Sequence, residues 1–225
     1  KTKQVSSDNI EKDQSFGLYT TSSGLNVLVY QQHILSIGVE CITSASNKKL
    51  VHERGVACDI AKAAGLHYVQ ACNEIITANG ELKVGTAVAT SSGNLRFACI
   101  IQAIGPRWFN YDTSSFTGVH QCSEDLLTTV YNVLKVVNEM QMASVALPAI
   151  SSAFSGVPLK LCAMEYARAA KRFSKDFPGA NLREVHFVDR SAVKVEVIQE
   201  SFHRLITEDK DDINDRLKFI TKRRL

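Results

Sequence analysis

Apolar residues recur at spacings of three and four over residues 121 to 140, where Leu126, Leu127, Val130, Val133, Leu134 and Val137 share one side, the period of an amphipathic helix. The same spacing predicts helices over 56 to 64, stopped by Gly65, and over 67 to about 77, stopped near Gly80. It predicts two more from Pro158 to just before Pro178 and over 192 to about 206. Short runs rich in β-branched and aromatic residues lie between them, at 25 to 30, 39 to 43, 85 to 90, 95 to 103, 145 to 147 and 182 to 189. Ser91, Ser92, Gly93 and Asn94 join two of these as a turn. Residues 107 to 118 read as a surface loop whose aromatics Trp108, Phe109, Tyr111 and Phe116 cover the core. Residues 1 to 16 are polar without periodicity and read as a tail, 17 to 207 as one domain, and 208 to 225 as a charged, solvated extension.

Strands that alternate with helices predict an α/β fold with a mostly parallel sheet covered on both faces, and ligands beyond the carboxyl ends of its strands. One such end stands out. Val145, Ala146 and Leu147 give way to a loop of small residues, Ser151, Ser152, Ala153, Ser155 and Gly156 around Phe154, and Pro158 then stands where a first helical residue would. A loop of this kind can aim several backbone N–H groups at one anion, with the helix dipole adding to the attraction. It reads as a diphosphate cradle, or as an ordinary Ser-rich connection.

Composition narrows the function. The 225 residues are 45% hydrophobic and 22% charged, ordinary material for one sizeable core. A formal charge of +3 is too mild to argue for nucleic acid. No run of about 18 apolar residues exists, so no membrane span is expected. The six cysteines never approach metal-ligand spacing and sit in apolar segments, so they read as core thiols in a reducing compartment, cytoplasm or nucleus. No initiating Met is present, and the chain is expected to be a piece of a longer one.

Four pieces then carry a resemblance. They are residues 27 to 30 (Val-Leu-Val-Tyr), 55 to 65 (Gly-Val-Ala-Cys-Asp-Ile-Ala-Lys-Ala-Ala-Gly), 103 to 108 (Ala-Ile-Gly-Pro-Arg-Trp) and 147 to 152 (Leu-Pro-Ala-Ile-Ser-Ser). In order and spacing the chain resembles a macrodomain, the ADP-ribose-binding module, as found in the macrodomain-containing poly(ADP-ribose) polymerase family. The resemblance implies a three-layer α/β/α sandwich around a mixed, mostly parallel sheet of about six strands. It implies ADP-ribose or a mono-ADP-ribosylated protein as partner, neighbouring domains on a longer chain, and no cofactor. It places His33, Ile34, Asn47, Gly55, Val56 and the loop Ser151, Ser152, Ala153, Phe154, Ser155, Gly156 and Val157 around the ligand.

Departures from the family pattern bear on the pocket. The family's Asn-Ala-Ala-Asn is Ser44-Ala45-Ser46-Asn47 here, so only the second Asn remains to meet the distal ribose. A glycine run is replaced by His52, Glu53 and Arg54 before Gly55, which crowds a loop that needs close backbone approach. His33 stands where many members place an Asp that accepts from the adenine amine, and an imidazole accepts one hydrogen bond only when neutral. Ala153 replaces a glycine and the aromatic has moved one position earlier, to Phe154. Where hydrolytic members often carry an Asp, this chain has Ala57, with Asp59 two positions on and expected to point elsewhere. Glu53 reads as a solvated loop residue. Three functions remain: an ADP-ribose reader with a divergent pocket, a hydrolase using Asn47 to position water, or a degenerate macrodomain that serves as a protein or nucleic-acid interaction surface.

Overall fold

The computed structural model describes residues 16 to 209 and 213 to 220. The expected tail up to residue 15 lies outside them. Among the described residues seven strands form one sheet: β1 (Gly17–Thr20), β2 (Asn26–Gln31), β3 (Cys41–Ser46), β4 (Ala87–Thr90), β5 (Cys99–Ile104), β6 (Ser144–Leu147) and β7 (Glu184–Asp189). Their order is β1-β2-β7-β6-β3-β5-β4. The inner pairings are parallel, and only β1 on β2 and β4 on β5 run antiparallel.

Among the described residues five α-helices cover this sheet: α1 (Gly55–Ala64), α2 (Leu66–Asn79), α3 (Phe116–Glu139), α4 (Leu159–Asp176) and α5 (Ala192–Phe202). Alternation along each strand divides the core. Val27, Val29, Cys99, Ile101 and Ala103 point toward α3, α4 and α5, while Tyr30, Ile42, Ile100 and Ile104 pack with Ile60, Ala64, Tyr68 and Cys72 of α1 and α2. The chain is therefore an α/β sandwich, as its alternating pattern predicts.

Several local expectations are corrected. The sheet has seven strands because β1, absent from the reading by periodicity, pairs with β2 while only every second residue of it is half-buried. Strand β3 continues through Ser46, so Ser44 is a buried strand residue and Ser46 donates to Gln102 Oε1 at 2.7 Å. Helix α3 starts at Phe116, because Ser115 Oγ accepts from Gly118 N–H at 3.1 Å and caps it. Trp108 and Tyr111 do pack on the core, but Phe109 and Phe116 are exposed. Pro158 stands at the cap of α4, with Leu159 first in the helix.

The expected solvated extension carries a 3-10 helix, Ile213–Phe219, whose Arg216 is fully buried. Arg216 donates to Glu124 Oε1 at 2.7 Å and to His120 Nδ1 at 2.6 Å, and its Nε lies 3.4 Å from Glu165 Oε1. Phe219 and Ile220 pack against the core beside it.

Candidate functional site

The parallel strands β2, β7, β6 and β3 all end on one edge of the sandwich, so the loops after them meet there. After β6 the chain turns through Ser151, which has a positive φ of 64° and is buried. Val157 N–H closes the loop onto Ser151 O at 3.2 Å, Gly156 N–H onto Ala153 O at 2.9 Å, and Ser152 Oγ donates to Ala149 O at 2.8 Å. Tyr166 of α4 holds Ile150 O from below. The N–H groups of Ser151, Ala153, Phe154 and Ser155 have no protein acceptor among the described residues. They stand ahead of the N-terminus of α4, where an anion is favoured.

Two glycines make this loop possible. Gly156 takes a φ of 71°, which a side chain rarely adopts. A Cβ on Gly105, just past β5, would lie 2.3 Å from Ser151 Oγ, so the β5 end must be bare for the loop to sit where it does. Trp108 N–H donates to Ser155 O at 2.8 Å and fastens the outer side.

The loop after β3 lies beside it, with Arg54 against Phe154. Gly55 has a φ of 63°, and a Cβ there would come 3.2 Å from the Phe154 ring. The Arg54 guanidinium stands over that ring at 5.3 Å. Glu53 is exposed, as expected, and Ala57 is buried. His52 turns inward with its ring 5.1 Å from Tyr68, and both ring nitrogens are buried without a partner. Burial holds its pKa below the ordinary value.

Asn47 is engaged by its own loop. Its Oδ1 accepts from Lys49 N–H at 3.0 Å and Val51 N–H at 3.1 Å, and its Nδ2 donates to Val51 O. This closes a turn around Leu50, which is buried at a φ of 51°. A side chain so occupied is a loop clasp.

The third part of the edge lies beyond β2 and β7. His33 caps the 3-10 helix Ile34–Ser36 by accepting Leu35 N–H on Nδ1 at 3.3 Å. Its Nε2 lies 3.8 Å from Asp59 Oδ2, and Arg190 NH2 lies 3.7 Å from the same oxygen. Asp59 thus points at His33. It sits one turn into α1, and nothing local in the sequence pairs it with Arg190.

Of the predicted site residues, the structure gathers Gly55, Phe154 and the rest of the 151 to 156 loop together at this edge, with His33 further along it. Ile34 and Val157 bury their side chains in the core, and Val56 packs against it, so these three support the loops from beneath. Arg54, Asp59, Gly105 and Arg190 join the site without having been singled out as ligand contacts. Among the described residues no group of three or more His, Cys, Asp or Glu is placed to hold a metal ion, and no helix is long and apolar enough to cross a membrane.

The Macro domain family model matches residues 43 to 165, more than half of the chain and including the loops after β3, β5 and β6. The chain belongs to the Macro domain family. Over 189 residues this macrodomain is 32% identical to human protein mono-ADP-ribosyltransferase PARP14, which covers 83% of the chain and 10% of that protein. It therefore spans only a small part of that relative's length. Among solved structures, an Oceanobacillus iheyensis macrodomain mutant with ADPR matches with a TM-score of 0.76 at 24% identity, covering 86% of this chain and 100% of the other. A Trypanosoma brucei macrodomain in complex with ADP-ribose matches with a TM-score of 0.64 at 16% identity, covering 77% and 68%. Both likenesses concern the fold.

Proposed function

We propose that this macrodomain binds ADP-ribose, free or as the mono-ADP-ribosyl group of a modified protein, and acts as a reader without hydrolysing it. The observation that carries the reading is the loop of residues 151 to 156, with four N–H groups lacking protein acceptors at the head of α4. A diphosphate needs several donors and no bulky Cβ between them. The complexes of the Oceanobacillus and Trypanosoma macrodomains support the choice of ligand.

Asn47 favours a reader over a hydrolase. Attack at the distal ribose needs a water held by a group with hydrogen-bonding capacity to spare. Here Oδ1 already accepts two backbone N–H groups, and Ala57 supplies no carboxylate. Six free cysteines, five of them buried, fit a reducing compartment, and we place the protein in the cytoplasm or nucleus.

The test is titration calorimetry with ADP-ribose on the native domain and on Gly156→Glu. Binding by the native domain and its loss in a folded Gly156→Glu variant are expected, because the new carboxylate repels the diphosphate and its backbone resists a φ of 71°. Equal binding by both would overturn the cradle, and no binding by the native domain would overturn the reader.

A further inference from the structure

We propose that Cys41 and Cys99 form a redox site, which a peroxide closes to a disulfide between β3 and β5 at the edge of the sandwich opposite the cradle. The site does not depend on what the cradle binds. Each residue opens its strand, and the parallel ladder sets Cys41 directly against Cys99. Neighbouring strands lie about 4.8 Å apart, inside the Cα separation of about 4.4–6.8 Å that a disulfide spans. Both side chains enter the core on the face covered by α3 and α4. The other four cysteines, Cys58, Cys72, Cys122 and Cys162, each sit on a different helix.

The pair lies one residue beneath the surface. Glu40 and Ala98, which precede the two cysteines, are exposed, and Ala98 N–H donates to Glu40 O at 2.8 Å. Cys41 is fully buried, its Sγ 3.5 Å from Ser144 O, whereas Cys99 keeps 5% of its exposure. Half-buried Met142 puts its Sδ 3.9 Å from Cys99 Sγ. The two thiols are also unequal. The hydrogen bond between them lowers the pKa of Cys99 against the effect of burial, and it raises that of Cys41, where burial and the Glu40 carboxylate add to it. Cys99 is therefore the sulfur that attacks the oxidant, and Cys41 the one that resolves the product.

The chemistry balances with the peroxide alone. The Cys99 thiolate attacks one peroxide oxygen, the O–O bond breaks, and the departing hydroxide takes up the proton that Cys99 gave, so Cys99 becomes a sulfenic acid and one water leaves. The Cys41 thiolate then attacks that sulfur: the S–S bond forms, the S–O bond breaks, and the hydroxide leaves as a second water with the Cys41 proton. The two thiols lose two electrons and the peroxide gains them. Thiol reductants reverse the product, which suits a transient disulfide in a reducing compartment.

The experiment treats the folded native protein with hydrogen peroxide and maps its peptides by mass spectrometry without reductant. A peptide cross-linked through Cys41 and Cys99 should appear, and dithiothreitol should abolish it. Cys58, the only half-buried cysteine of the six, is the control for simple exposure. In Cys41→Ala the cross-link should be lost and Cys99 should be trapped by dimedone as its sulfenic acid; in Cys99→Ala, Cys41 should stay reduced. The native protein decides the matter even where a variant fails to fold. Oxidation of Cys58 while Cys41 and Cys99 stay reduced would overturn the proposal, and so would Cys99 oxidised past sulfenic acid beside a free Cys41. A cross-link that forms only in urea would overturn it as well, because the pairing would then owe nothing to the strand register.

Discussion

Arg216 reaches from the C-terminal 3-10 helix to put its Nε 3.4 Å from Glu165 Oε1 of α4, with neither side chain exposed to solvent. Burial pushes the Glu165 carboxyl up, while Ser123 Oγ, Arg168 and Arg216 pull it down. Removing one partner of a buried pair leaves a desolvated charge, which costs about 3–5 kcal/mol. Arg216→Ala should therefore lower the free energy of unfolding by about that amount in urea. A loss under about 1 kcal/mol, the value of an exposed pair, would show that the segment is only loosely applied.

Gly105→Ala tests the fit between β5 and the cradle. The added methyl would meet Ser151 Oγ at 2.3 Å and Ile150 Cγ2 at 2.8 Å, so the loop must move. Overpacking of this kind costs about 1–3 kcal/mol. Stability should fall by that order and ADP-ribose affinity should fall with it in calorimetry. A variant with native affinity would show that the loop tolerates displacement.

Asn47→Ala should separate stability from catalysis. The side-chain clasp on Lys49 and Val51 is lost, which should cost about 1 kcal/mol in an exposed turn. Release of ADP-ribose from a mono-ADP-ribosylated protein should stay at the no-enzyme level for both native and variant domains. Robust release by the native domain that disappears in Asn47→Ala would restore the hydrolase function.

Two histidines contribute to the response to acid. Burial lowers the pKa of His52, and burial lowers that of His186 against an opposing pull from Glu184. For a group with a depressed folded value, stability is complete above the unfolded value of about 6.5 and declines as the pH falls below it, because the unfolded chain takes up the proton first. Melting temperature should fall steadily below about pH 6.5. His186→Gln, which keeps polar atoms near Tyr30 but cannot titrate, should flatten part of that decline; an unchanged slope would shift the cause to other groups.

Hydrophobic spacing by itself determined the helices α1 to α5, six of the seven strands and the mostly parallel α/β class. Such features are local: a helix or strand shows its buried face at its own period, and a small-residue loop before a helix shows its donors in its composition. Only the tertiary structure decided how the polar side chains were spent. The Asn47 side chain bonds within its own turn, and His33 Nδ1 accepts from Leu35 N–H. Asp59 lies near His33 and Arg190 because β2 and β7 are neighbours in the sheet, and Arg216 found Glu165 from a segment whose charge alone predicted solvent. Hydrogen bonds and ion pairs act within a few ångströms but join residues distant in the chain, so their partners follow strand order and helix placement rather than sequence spacing.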